Sequence, residues 1–190
     1  MEFGVDTETY NTPTYGLKSL QIWGPTGAAY LTVDNWEQDD WSIRRSISNQ
    51  FAGWMEALPS NATLYFYNLD FDFSQVSYCL TQEIYEVTDD PGRLRKGCIS
   101  VVETQSRTYK VKIRTRSGHT VEMIDCYNFC GGVPLNQACK DWVGEQKIDL
   151  PSKDFPKAAA SAIEKKYAMK DAELTYRLGH LLTAKGLMVR

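Results

Sequence analysis

The sequence predicts an α/β fold, and three observations carry that prediction. In the opening residues Phe3, Val5 and Thr7 alternate with Gly4, Asp6 and Glu8, which is the period of a strand. Two stretches, opening near Asp39 and Pro156, carry large apolar residues mostly three and four positions apart, the period of an amphipathic helix. Between them, residues 99–127 return to a strand-like pattern with Ser117-Gly118 as a turn signal. At 190 residues the chain is expected to form a single domain, 1–190, long enough to bury a sizeable core.

Taken in order, the first strand places Asp6 and Glu8 on one side. Adjacent carboxylates repel unless positive charge lies between them, and a hard divalent cation on oxygen ligands is the simplest remedy. Two solvated carboxylates are the alternative. Residues 10–15 read as a loop. Residues 17–23 and 28–33 read as strands around the turn Gly24-Pro25-Thr26-Gly27, which with the first strand suggests an antiparallel meander. Asp39 and Asp40 precede a helix bearing Trp41, Ile43, Ile47, Phe51, Trp54, Met55 and Leu58, stopped by Pro59.

Residues 64–67 read as a short strand, broken by Asn68-Leu69-Asp70, after which Phe71, Asp72, Val76 and Leu80 open a helical pattern. A strand that ends in a polar loop puts Asn68 and Asp72 at the rim of a sheet, where sites tend to be built. The plainer alternative is that Asp70 or Asp72 caps the following helix. Residues 128–134 read as a loop, 135–142 as a short helix and 144–154 as irregular. The last helix is expected from Pro156 in its first turn to Gly186 at its end. Ile163, Tyr167, Asp171, Leu174, Leu178, Leu181 and Leu182 form its stripe. Asp171 interrupts that stripe, and an inward carboxylate is costly unless it is paired or binds a cation. A rolled stripe would instead leave it against Lys170 or Arg177. We take the inward arrangement.

Composition narrows the chemistry. The net charge is −3, yet residues 93–116 carry eight basic residues and one acidic one, a local +7 against −10 for the rest. That asymmetry suits either a phosphate groove beside an acidic centre or a solvated hairpin face. The five cysteines, in a chain whose first residues lack a secretory signal pattern, are expected as reduced, mostly buried thiols. Cys126 and Cys130 have no second ligand pair to make a zinc site. With His119 and His180 as the sole histidines, a histidine metal site or a serine triad has little to draw on. Any metal is therefore expected on carboxylates. No apolar run approaches bilayer length, so no membrane association is expected.

Val5-Asp6-Thr7-Glu8-Thr9, Tyr65-Phe66-Tyr67-Asn68-Leu69-Asp70-Phe71-Asp72 and Tyr167-x3-Asp171 resemble, in order and spacing, the three exonuclease motifs of family B DNA polymerases. The likeness is greatest to the protein-primed phage enzymes and covers nearly the whole chain. It implies a ribonuclease H-like fold, a mixed sheet flanked by helices. It also implies a metal-dependent 3′–5′ exonuclease on single-stranded DNA, free-standing or part of a split or truncated polymerase. An exoribonuclease stays open, because four carboxylates do not choose the sugar. So does a non-catalytic module that binds DNA or a polymerase partner and keeps only the fold.

The implied cofactor is a pair of Mg²⁺ or Mn²⁺ ions. By the resemblance Asp6 bridges both, Glu8 and Asp171 complete one, and Asp72 holds the other directly or through water. One ion lowers the pKa of a bound water and the other stabilises the leaving 3′ oxygen. Tyr167 orients that water, while Thr9, Tyr65, Asn68 and Phe71 hold the single-stranded 3′ end. Lys147, in Lys147-Ile148-Asp149-Leu150, matches the family lysine that contacts the scissile phosphate; a plain surface lysine is the alternative, with Lys140 competing for the role. Tyr67 stands where many relatives carry histidine, and Asp70 where the nearest carry lysine. The implied partners are a DNA 3′ end and a polymerase subunit or domain, in the cytoplasm (of a host cell if phage-encoded).

Overall fold

Alternation along the first strand sends Phe3 and Val5 to one side and Gly4 and Asp6 to the other, and helices cover both sides. The structure is a computed structural model describing residues 1–104, 107–150, 152 and 154–188. Strand β1 (Glu2–Tyr10) pairs antiparallel with β2 (Gly16–Gly24), which turns back into β3 (Gly27–Leu31). This is the expected meander. On the other side of β1 lies β4 (Ala62–Phe66), parallel to it. Strands β5 (Glu86–Val87), β6 (Cys98–Thr104), β7 (Arg107–Arg114) and β8 (Thr120–Asp125) complete an eight-stranded mixed sheet in the order β3-β2-β1-β4-β8-β7-β6-β5. A meander followed by two parallel strands, with helices on both faces, is the ribonuclease H-like arrangement that was expected.

Helices α1 (Asp40–Glu56) and α2 (Leu69–Tyr78) pack on the face bearing Phe3 and Val5, and residues such as Ile47, Phe51, Leu69 and Val76 complete that core. Asp39 caps α1 by accepting from the Ser42 amide. The opposite face is covered by α3 (Leu135–Trp142) and α4 (Ala162–Ala184), which bury Leu135, Leu174, Leu178 and Leu182 against Tyr65 and Ile124. Gly4 lets α4 lie directly on β1. A Cβ there would sit 2.1 Å from the Ala172 carbonyl oxygen and 2.3 Å from the Tyr176 nitrogen.

Two sequence expectations need correction. The last helix begins at Ala162, not around Pro156. Ser161 is its N-cap, and Ser161 and Glu164 form a reciprocal capping box, which satisfies two amides that Pro156 cannot. Ile163 is 54% exposed rather than part of the buried stripe, because it falls in the first turn, before α4 reaches the sheet. The irregular segment after α3 has no regular structure among its described residues, and Pro151 and Lys153 lie outside them. All five cysteines are buried and free. Among the described residues no helix is long and apolar enough to cross a membrane.

Candidate metal centre

The centre is built where β1 runs under α4. Period two keeps Asp6 and Glu8 on the α4 side of the strand, and a register irregularity immediately after Glu8 bends β1 at that point. From above, α4 lowers Asp171 onto them, as Gly4 allows. One oxygen from each of Asp6, Glu8 and Asp171 lies within 4.8 Å of the others. Asp171 is only 2% exposed, so the inward arrangement holds. Lys170 and Arg177, the rim alternatives, instead pair with Glu145 and Glu173. An all-carboxylate set of buried or half-buried oxygens is the donor chemistry of Mg²⁺ or Mn²⁺ rather than of a thiophilic metal.

Lys147 reaches this cluster from the segment after α3. Its ammonium pairs with Asp171 Oδ2 and lies 5.1 Å from the centre of the Tyr167 ring. Burial alone would lower its pKa, but the carboxylates of Asp171 and Asp6 outweigh that and hold it above its usual value. Lys140, the competing lysine, is exposed on α3. Tyr167 follows its helix one turn before Asp171. Burial, together with the Asp171 charge, pushes its phenol up to about 12. It therefore stays protonated at neutral pH.

Asp72 stands beside the triad rather than within it. It is 3% exposed and accepts a hydrogen bond from Thr7 Oγ1 at 2.5 Å, the residue between Asp6 and Glu8. Burial, opposed by the Thr7 hydrogen bonds and assisted by the Glu8 and Asp125 carboxylates, raises Asp72 to about 8. Asp6 is raised well above the ordinary range, first by burial and then by the charges of Asp72, Glu8 and Asp171, with Lys147 opposing. One ammonium does not offset the carboxylates gathered here, and a divalent cation would.

That fold has solved counterparts. Over 99% of its length the chain matches Phi29 DNA polymerase complexed with primer-template DNA, at a TM-score of 0.71 and 13% identity. The same polymerase complexed with single-stranded DNA gives 0.70, and its orthorhombic crystal form 0.73, each at 13% identity. The chain spans 32% of that polymerase's length. No protein-family model and no curated protein matches the sequence. At such identity the likeness is one of fold, shared with part of a DNA polymerase.

The remaining candidate residues divide. Asn68 adopts a left-handed conformation (φ 81°, ψ 59°) at the start of α2, half-buried at the rim. Phe71, one turn into the helix, is 41% exposed. Thr9 is half-buried just past the β1 irregularity. Tyr65 is 0% exposed, its ring lies against Gly179, and its hydroxyl bonds Thr183 at 2.9 Å. Its strand position points it under α4, so it offers no surface to a strand end. Tyr67 is likewise turned inward, its hydroxyl donating to the Val133 carbonyl.

Neither Asp70 nor Asp72 caps α2. Asp125, at the end of β8, does so from a neighbouring strand, its Oδ1 accepting from the Asn68, Leu69 and Tyr127 amides. Sequence reasoning passed over Asp125, although an acidic residue closing the apolar run of β8 is the pattern that signals a rim carboxylate. It also passed over Arg107 as an individual residue within the basic stretch. Half of the eight basic residues in that stretch are paired locally: Lys110 and Lys112 with Glu122, Arg95 with Glu86, and Arg93 with Asp90.

Proposed function

We propose that this chain is a divalent-metal-dependent 3′–5′ exonuclease acting on single-stranded DNA, free-standing or as a portion of a polymerase. The observation that carries the reading is the convergence of Asp6, Glu8 and Asp171 from opposite ends of the sequence, with donor oxygens within 4.8 Å. The fold shared with part of a DNA polymerase supports DNA as the substrate. Asp6, Glu8 and Asp171 would hold one Mg²⁺ or Mn²⁺, and Asp6 with Asp72 a second. Such ions supply Lewis acidity to a phosphodiester and to the water that attacks it.

The chain's own residues do the rest. Tyr167, a phenol at neutral pH, is not a base. It orients the attacking water through its hydroxyl. Lys147 keeps its proton, and its ammonium turns from Asp171 to a non-bridging oxygen of the scissile phosphate. Phe71 stacks on a terminal base, and Asn68 and Thr9 hydrogen-bond the strand end.

The test uses single strands labelled at either end, DNA and RNA in parallel, with Mn²⁺. The wild type should shorten the DNA stepwise from its 3′ end, and Asp6→Ala and Asp171→Ala should fall to background. Wild-type binding without cleavage would leave a non-catalytic binding module. Faster loss of the RNA strand would move the assignment to an exoribonuclease.

A further inference from the structure

The basic hairpin delivers to the rim of the centre a cation, Arg107, that no carboxylate among the described residues pairs with. Arg107, the first residue of β7, donates from Nη2 to Asn68 Oδ1 at 2.9 Å, and its guanidinium carbon lies 5.2 Å from the centre of the Tyr127 ring. Both partners are neutral. Among the described residues Arg107 has no carboxylate within ion-pair distance, unlike Lys110 and Lys112 further along the same strand. A guanidinium carries five N–H donors in a planar fork, so one bond to an amide leaves the rest for an anion.

This placement is fixed by a second contact. Asp70 Oδ1 accepts the Thr108 backbone amide at 2.8 Å, tying the start of β7 to the turn that opens α2. Asp70 is thus committed to a backbone amide and holds the hairpin where Arg107 overhangs Asn68. Asn68 is one helical turn, about 6 Å along the axis, from Asp72.

We propose that Arg107 binds a backbone phosphate of the single strand entering the carboxylate centre, and that Asp70 is the positioning residue that holds Arg107 there. The inference rests on the nuclease reading above. It adds a phosphate contact supplied by the hairpin, outside the three motifs, with the Tyr127 ring supporting the guanidinium from behind.

The experiment is fluorescence anisotropy of a 5′-fluorescein oligo-dT strand in EDTA across a series of NaCl concentrations, with Mn²⁺-dependent hydrolysis of the same strand run in parallel. Arg107→Ala should weaken binding about tenfold, the loss of one charge-assisted contact. It should also reduce the slope of log K against log[salt] by about 0.7. Arg107→Lys should recover the slope but only part of the affinity. Asp70→Ala is the sharper variant. Removing a carboxylate near a phosphate path ordinarily tightens binding, whereas loss of the hairpin anchor should weaken it and flatten the slope.

Arg107→Ala with wild-type affinity and slope, or Asp70→Ala binding more tightly, overturns the inference while wild-type hydrolysis keeps the nuclease reading. Binding that depends on Arg107 without any wild-type hydrolysis does the reverse. A wild type that neither binds nor cleaves overturns both.

Discussion

Asp72 shows how a single residue carries both cost and function. Its carboxyl is buried against Thr7 and held near about 8, whereas in the unfolded chain an aspartate ionises near about 4. Between those values the native state binds a proton that the unfolded state has released. The unfolded state binds fewer protons, so stability falls as pH rises through that window and levels off above it. Asp6, raised for the same first reason of burial, contributes with the same sign. Thermal melts in EDTA from pH 4 to pH 9 should therefore show the wild type losing Tm with rising pH. Asp72→Asn, neutral throughout, should flatten part of that slope and melt about 3–8 °C higher at pH 8. Parallel profiles for the two proteins would remove the argument for a strained carboxylate.

At the scale of elements, the centre depends on how closely α4 approaches β1. Gly4 has no Cβ, and one placed there would meet α4 backbone at 2.1 and 2.3 Å, atoms that cannot rotate away. Gly4→Ala should therefore push α4 outward, costing about 2–4 kcal/mol in a urea melt and lowering Mn²⁺ affinity because Asp171 moves with the helix. A Gly4→Ala protein with unchanged stability and metal affinity would mean that α4 does not need this approach. Much at this scale was legible in the sequence. Alternation gave β1 and the placing of Asp6 and Glu8, the 3.6-residue stripe gave α4, and Asp171 stood out as the one charge in it. The start of α4 was misread because Pro156 is a conspicuous signal and Ser161-x-x-Glu164 a quiet one. The burial of Tyr65 was not legible, because period two gives two faces but not which one a later helix will cover. Arg107 and Asp125 gain their meaning from β7 and β8 meeting the turn before α2. That pairing follows from sheet order, which local pattern does not encode.

For the whole molecule, the centre joins parts of the chain that are remote in sequence: Asp6 and Glu8 in β1, Asp72 in α2 and Asp171 in α4. Without a cation these carboxylates push their elements apart, and Lys147 offsets only part of the repulsion. A cation bound there would bind the folded chain alone, since unfolding separates its ligands, and so would stabilise the fold by mass action. At a hundredfold excess over Kd this amounts to about 2.7 kcal/mol, or about 5–11 °C in Tm for a chain of this size. Asp6→Asn separates this effect from general ionic stabilisation. Losing one of the crowded charges, it should melt above the wild type in EDTA, yet it should gain little from Mg²⁺ or Mn²⁺ and so fall below the wild type once the ion is saturating. That reversal of order is the signature of one shared site. An equal rise in both proteins would place the ion on exposed acidic groups elsewhere, and the convergence of β1, α2 and α4 would then have to be explained without a metal.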